Sequence, residues 1–560
     1  MLKVEENVMT KQKIHPADLP VHIQPYISKE NDSVKVMVPD SFNLGSAVTD
    51  WVLNQWNVFH DKDAFIVETE NLGVTRLTYG ELHYFSNQFG HLLAESGIDS
   101  GSRVMIKLPN CIEYPIAFLG TIKAGFIATP ISTMLTSAET EFIVNDNQAS
   151  VLITSAYEAE KLDPELRNRF SLIILVDEHS EFLEKEHIIY FWEALKKCKD
   201  TPIKAKSNSN DPAYLVYTSG TTGNPKGVLH AQRSLLGRLP AALAWFDFKN
   251  PQRIMHTGKM NWTYVLGTAM MDPLFHGHTV VAYEGKNEPA KWLQLAGKYN
   301  CTTFIAVPTI YRQILQKTRA GKSAAPSLEH CMSAGEKLSE QVLSEFHERF
   351  HIYIHEGLGM SEVSYYLSQP PGDELRPGAT GKIQPGHMVK LLDENQKPVK
   401  PGDEGMIAIH RDDPGLFLSY WNRPEEENQV IRGEWFMTGD YAIEDPDGYV
   451  FFLGRRDDII NTFGFRVSPY EIEKVLKDHE AVADGVVVGE VLSEEKTLLS
   501  AVIVLHKGAS VSEKEIIEFL AKKVATYKVP KKVTFLESLP RTRNGKILRS
   551  EILKILKERS

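Results

Sequence analysis

An α/β fold in two parts is what this sequence predicts: a large N-terminal layered α/β domain with a β-rich subdomain, then a small α+β domain. Three observations carry that expectation. From Asn43 onward, helical stretches alternate with short apolar runs, the pattern of layered sheets with largely parallel strands. Past Gly381 the texture changes to short strands separated by turn residues. The 560 residues also exceed what one ordinary hydrophobic core organises, so at least two domains are expected.

The elements follow in chain order. Residues 1–40 read as an irregular, Pro-containing arm. Val104–Leu108, Val151–Thr154, Leu172–Val176, Ala213–Tyr217, Thr279–Tyr283 and Thr303–Val307 are apolar runs of strand length. Tyr79–Ser96, Glu113–Ala124 and Ser339–Phe350 are the helix-like segments between them. Val389–Leu392, Gly405–Ile409 and Tyr449–Leu453 suggest hairpins. In the last stretch, helices over Pro469–Lys477 and Glu513–Val524 flank the runs Gly485–Val488 and Leu499–Leu505. The charge cluster Arg455-Arg456-Asp457-Asp458, between two apolar strands, sets the boundary, giving domains 1–456 and 457–560.

Composition excludes several classes. With 42% hydrophobic and 24% charged residues the chain is globular, and a net charge of −11 argues against a nucleic-acid-binding surface, which is usually basic. Met1–Glu30 is mixed and polar rather than a leader, and no uncharged apolar run approaches the ~20 residues of a membrane helix. Cys111, Cys198, Cys301 and Cys331 have no metal-like spacing and read as buried thiols in a reducing, cytoplasmic compartment.

The most telling segment is Tyr217-Thr-Ser-Gly-Thr-Thr-Gly-Asn-Pro-Lys-Gly-Val228, with four Ser/Thr hydroxyls, three glycines and one lysine in twelve residues. It follows an apolar strand. Glycine lets backbone approach closely, hydroxyls and amides donate, and Lys226 adds positive charge, so the loop suits a phosphate. It is not a Walker loop: Gly321-Lys322-Ser323 has Gln316 where that pattern needs glycine.

Five further stretches matter. Gly335-Glu336-Lys337 follows the run His330–Ser333, which reads as a strand. Glu356-Gly-Leu-Gly-Met-Ser-Glu362 follows His351–His355, and two glycines at a strand end open the backbone to a flat base or an acyl chain. Thr438-Gly-Asp440 precedes an expected hairpin. Gly454-Arg-Arg-Asp-Asp-Ile-Ile-Asn-Thr-Phe-Gly-Phe-Arg466 and Pro540-Arg-Thr-Arg-Asn-Gly-Lys546 complete the set.

In order and spacing, across some 330 residues, these stretches resemble the motifs of the AMP-forming adenylate-forming enzymes: acyl- and aryl-CoA synthetases, luciferases and peptide-synthetase adenylation domains. The resemblance spans roughly residues 45–560. It implies an N-terminal domain that holds ATP and the acid, and a mobile C-terminal domain that swings about a hinge at Asp457 between two half-reactions. Thr218, Ser219, Gly220, Thr221, Thr222, Gly223 and Lys226 would then cradle phosphates. Gly335, Glu336 and Lys337 would lie beside the adenine, with Glu356, Gly357, Leu358, Gly359 and Met360 lining the site. Ser361 would contact phosphate and Glu362 would hold Mg²⁺. Asp440 would grip the ribose, Arg455 the ribose or phosphates, and Arg466 the triphosphate. Gly464 would lie where the pantetheine of CoA passes, and Lys546 would be the catalytic lysine. The acid pocket would involve Trp262, Thr263, Ala334, Gly357 and Gly359.

Departures from the family pattern narrow the expectation. Asn461 stands where many relatives have Lys but where acetyl- and medium-chain acyl-CoA synthetases also have Asn, and Phe463 stands where coumarate-type ligases have Lys. Acetyl-CoA synthetases close the pocket with Trp at the place of Gly359, so an acid larger than acetate is expected. The implied function is an ATP-, Mg²⁺- and CoA-dependent acyl-CoA synthetase acting on a short- or medium-chain fatty acid. The alternatives are an aryl-CoA ligase or a stand-alone adenylation protein loading a carrier, although no carrier domain precedes the end at Ser560. A luciferase-like oxygenase and a silent binding module are the remaining readings.

Two outcomes follow. Lys546→Ala should cut acid-dependent pyrophosphate exchange by roughly 10²–10³-fold, the scale of losing one preorganised electrostatic contact. Asp457→Pro should spare that exchange and abolish thioester formation, because the proline ring fixes φ and blocks hinge rotation.

Overall fold

A computed structural model describes residues 15–30, 33–177, 187–203, 205–219, 225–248, 252–335, 338, 340–373, 375–376, 378–455, 460–462, 465–467, 469–493, 496–540 and 549–559. The arm is more ordered than expected. Two 3₁₀ turns, Pro16–Asp18 and Gln24–Tyr26, lead to a hairpin of Ile27–Glu30 and Ser33–Val36. The reason is apolar burial: Leu19, Ile23 and Ile27 sink into the main core, and His22 stacks on Trp51 with ring centroids 4.4 Å apart.

Two sheets dominate the large part. The first has eight strands, in the spatial order Ser419–Tyr420, Pro225–Ala231, Pro212–Ser219, Ile127–Pro130, Arg103–Lys107, Val151–Thr154, Leu172–Leu175 and Ile188–Tyr190. All pairings from Pro212–Ser219 outward to Ile188–Tyr190 are parallel. Val151–Thr154 and Leu172–Leu175 are near-continuous apolar runs, as strands buried on both faces require. The second sheet has fourteen strands. Asp63–Thr69, Thr279–Glu284, Arg253–His256, Thr303–Ile305, His330–Ala334 and Ile354–Met360 run parallel. From there it continues antiparallel through Ser364–Ser368, Gly381–Ile383, Tyr449–Arg455, Trp435–Glu444, Glu404–His410 and Val389–Leu392. The β-rich stretch expected past Gly381 therefore extends an existing sheet instead of forming its own. One apolar core joins both sheets, through residues such as Phe65, Val104, Tyr214 and Ile254.

Helices begin where the sequence supplies caps. Thr78 with Glu81, and Thr136 with Glu139, form reciprocal capping boxes at Tyr79–Ala94 and Ser137–Asn147. The C-terminal part has a separate core of Ile472, Leu476, Val487, Ala501, Ile516 and Leu520. There Val482–Ser493, Lys496–Leu505 and Lys532–Phe535 form a three-stranded sheet, flanked by the helices Pro469–Lys477 and Glu513–Ala521. Cys301 and Cys331 are buried as expected, but Cys111 and Cys198 are only half-buried; all four are free thiols. Among the described residues no helix is long and apolar enough to cross a membrane.

A buried ion pair ties three segments together. Arg238 ends the 3₁₀ stretch Gln232–Arg238, and its guanidinium donates to both oxygens of Asp272, at 2.7 and 2.9 Å. It also contacts Ser364 Oγ and Tyr365 Oη. Burial alone would lower the Arg238 guanidinium, but the Asp272 and Tyr365 charges together outweigh it and raise it. A Cβ at Gly267 would fall 1.3 Å from Arg238 Nη2, so only glycine leaves room for the fork. Truncating one partner leaves an uncompensated buried charge. Asp272→Ala should therefore destabilise the N-terminal part by about 3–5 kcal/mol, read as a lowered midpoint in urea unfolding.

Candidate active site

The Pro212–Ser219 and Pro225–Ala231 strands form an antiparallel hairpin whose connection is the Gly/Thr-rich loop. Thr218 pairs with Lys226 across that hairpin. Gly220, Thr221, Thr222 and Gly223 lie outside the described residues, as do Glu336, Lys337, Asp457, Gly464 and Lys546. Ser219, Arg455 and Arg466 are described along their backbones, in strands.

A cleft of about 810 Å³ opens beside the hairpin. Its lining brings together Thr218, Lys226, Trp262, Thr263, Met360, Ser361 and Glu362, which are spread over the sequence from 218 to 362. Trp262 is half-buried: it lines the cleft and also packs against the main core. Thr263 Oγ1 lies 3.3 Å from Ser361 Oγ, so two hydroxyls meet at the lining. Glu362 is 7% exposed and its Oε1 accepts a hydrogen bond from Tyr420 Oη at 2.8 Å. Lys226 Nζ sits 3.6 Å over the Tyr420 ring and 3.8 Å from Glu426. Burial holds the nearby His230 imidazole down to about 3, so that ring is neutral at physiological pH.

The remaining expected residues stand behind this lining. The strand here is Ile354–Met360, not the expected His351–His355, so Gly357 and Gly359 lie within a strand instead of at its end. Ala334 pairs directly with Gly357 across the parallel ladder. The space a side chain at Gly357 would take is filled by the Trp245 indole, 2.4 Å from that Cβ position. A Cβ at Gly359 would meet the Ser364 carbonyl oxygen at 1.9 Å. Glycine at 359 thus serves close backbone packing, which removes the premise that it simply takes down a pocket wall. Gly335 adopts φ +96°, where glycine is favoured, and rests against Trp262. Glu356 Oε1 accepts the Leu338 N–H at 3.0 Å, so this carboxylate holds Leu338. Leu358 is partly buried against the main core. Asp440 is buried inside the strand Trp435–Glu444, one arm of the hairpin and not ahead of it, opposite Arg455.

Sequence reasoning missed Tyr420, Glu426, Phe465 and Tyr527, all in the cleft lining. Phe465 and Tyr527 come from the C-terminal part and stack at 4.2 Å, and Phe465 faces Trp262 at 6.4 Å. The only local signal near Tyr420 is Pro424, which opens the helix Pro424–Val430.

A family model described as AMP-binding enzyme matches residues 52–421, and one described as AMP-binding enzyme C-terminal domain matches 471–546. Acyl-coenzyme A synthetase ACSM3, mitochondrial, of Mus musculus is 30% identical, over 99% of this chain and 97% of its own. The 3-hydroxybenzoate–CoA/4-hydroxybenzoate–CoA ligase of Thauera aromatica is 31% identical, over 84% and 90%. The crystal structure of the anthranilate CoA ligase AuaEII in complex with anthranoyl-AMP is similar with a TM-score of 0.68 and 28% identity, over 93% of this chain and 99% of that one. With Thr218, Lys226, Trp262 and Glu362 all inside the first of these matches, the chain belongs to the AMP-binding enzyme family.

Proposed function

We propose that this chain is an AMP-forming acyl-CoA synthetase, joining a carboxylic acid to CoA through an acyl-adenylate. The observation that carries the reading is the convergence of Lys226, Ser361, Thr263 and Glu362 on one cleft, beside the hairpin whose loop suits phosphates. Its substrates are ATP, the acid and CoA.

In the first half-reaction the acid's carboxylate attacks the α-phosphorus and pyrophosphate leaves with the electron pair. A carboxylate is already nucleophilic, and the neutral, buried His230 is not asked to act as a base. The work is positioning and neutralising charge. Lys226 and the hydroxyls of Thr218 and Ser361 hold phosphate oxygens, and Lys546 completes the charge balance around the reacting centre. Among the described residues no group of three His, Cys, Asp or Glu could hold a metal by itself. One buried carboxylate does suit Mg²⁺, which prefers one or two carboxylates plus phosphate oxygens, so Glu362 would hold it. Bound there, the ion neutralises phosphate charge. In the second half-reaction the CoA thiol displaces AMP from the adenylate, after rotation at Asp457.

For the acid, we favour one larger than acetate, a reading supported by the room in the cleft of about 810 Å³ and no longer by Gly359. An aryl acid is the second reading, favoured by the flat rings of Trp262, Phe465 and Tyr527 that border the cleft. A cytoplasmic setting belongs to the same reading and rests on the four free thiols.

The decisive experiment is AMP release from ATP and Mg²⁺ across acids from acetate to decanoate plus benzoate, with and without CoA. CoA-dependent turnover on one of the larger acids is expected; adenylate that CoA fails to discharge would instead mean a carrier-protein acceptor. Tyr420 offers a finer test. Tyr420→Phe loses the bond to Glu362 and keeps the ring under Lys226, so it should raise the Mg²⁺ requirement about 10-fold or more with little change in magnesium-free ATP binding. Tyr420→Leu should weaken both, read by calorimetric ATP titration with and without Mg²⁺.

A further inference from the structure

Glu139 does two jobs with one carboxylate. Its Oε2 completes a helix cap, accepting the Thr136 N–H at 3.0 Å and the Thr136 hydroxyl at 3.1 Å. That alone is an ordinary capping box. Its Oε1, however, accepts from the C-terminal part: the Ala525 N–H at 3.0 Å and the Lys528 ammonium at 3.3 Å. Both side chains are withdrawn from water, Lys528 at 5% exposure and Glu139 at 9%. A pair buried to this degree is weakly screened and strongly felt when one partner is lost.

The contact has a consequence at the cleft. Ala525 caps the 3₁₀ turn Thr526–Lys528, so fixing Ala525 and Lys528 also fixes Tyr527 between them. Tyr527 stacks on Phe465 with the rings 16° from parallel, and Phe465 faces Trp262. All three rings and Lys528 border the same cleft. One N-terminal carboxylate thus holds a C-terminal aromatic pair over the cleft wall.

We propose that Glu139 is a positioning residue for thiol transfer: its grip on the Ala525–Lys528 turn holds the domain arrangement in which Phe465, on the strand Phe465–Val467, covers the acyl group. The proposal rests on the acyl-CoA synthetase reading. In that step the thiol sulfur bonds to the acyl carbon, the acyl C–O bond to AMP breaks, AMP leaves with the electron pair, and the thiol proton passes to solvent. On this proposal adenylation uses the other domain arrangement and does not need the grip.

The test uses the full chain carrying Glu139→Gln, Lys528→Met or both, with Thr136→Ala as the control that breaks the helix cap and leaves the C-terminal donors in place. Expected is a discharge of pre-formed adenylate by CoA slowed about 10-fold or more in each of the first three variants, the scale of a lost charge-assisted bond. The double variant should be no slower than the worse single one. In Glu139→Gln, pyrophosphate exchange should stay within about two-fold, and Thr136→Ala should not separate the two half-reactions. Solution scattering of the substrate-free chain supplies a readout that does not depend on turnover, with Glu139→Gln and Lys528→Met expected to be more extended than wild type. Unchanged scattering in those variants overturns the proposal even if the wild type activates no acid, a result that would count against the synthetase reading alone. Equal slowing of both half-reactions in Glu139→Gln overturns it as well.

Discussion

The buried Arg238–Asp272 pair is the constraint on which the rest of the cleft depends. It joins the 3₁₀ stretch ending at Arg238 to the helix Asp272–Phe275, and its contact with Ser364 reaches the turn that carries Ser361 and Glu362. Ser364 holds φ +83°, a left-handed conformation that costs energy in a residue with a side chain. The Arg238 contact and the close approach of Gly359 to the Ser364 carbonyl over-determine that turn. A carboxylate presented from it is held in place before any substrate arrives, which is what electrostatic stabilisation of a reacting phosphate requires.

Tyr420 extends this rigidity between sheets. It lies on the edge strand of the eight-stranded sheet, next to the strand bearing Lys226, while its hydroxyl reaches Glu362 beside the fourteen-stranded sheet. One aromatic side chain thus spaces the cation from the carboxylate. The cleft forms where the two sheets meet, and its C-terminal border is supplied by a part with its own core. A separate core is what allows one border of a site to move without unfolding the other.

Much of the fold was legible because its signals are local. Val151–Thr154 is an apolar run of strand length, and the helix expected over Glu113–Ala124 forms over Glu113–Lys123. The Gly/Thr loop was legible for the same reason, since its composition exceeds what a turn needs. Strand limits were not: Ile354–Met360 runs through two glycines, which local propensity reads as an ending but which here are required by the Trp245 ring and the Ser364 backbone. The partners that press on those glycines come from distant sequence.

The sequence by itself determined the layered α/β class, the parallel-to-antiparallel change in texture, and the strand that runs into the Gly/Thr-rich loop, because hydrophobic period and turn chemistry act over a few residues. Only the tertiary structure decided that Tyr420 tethers Glu362, that Trp262 faces the cleft, and that Glu139 reaches Lys528. Those contacts pair residues tens to hundreds of positions apart, and nothing local encodes a partner that only chain packing brings near.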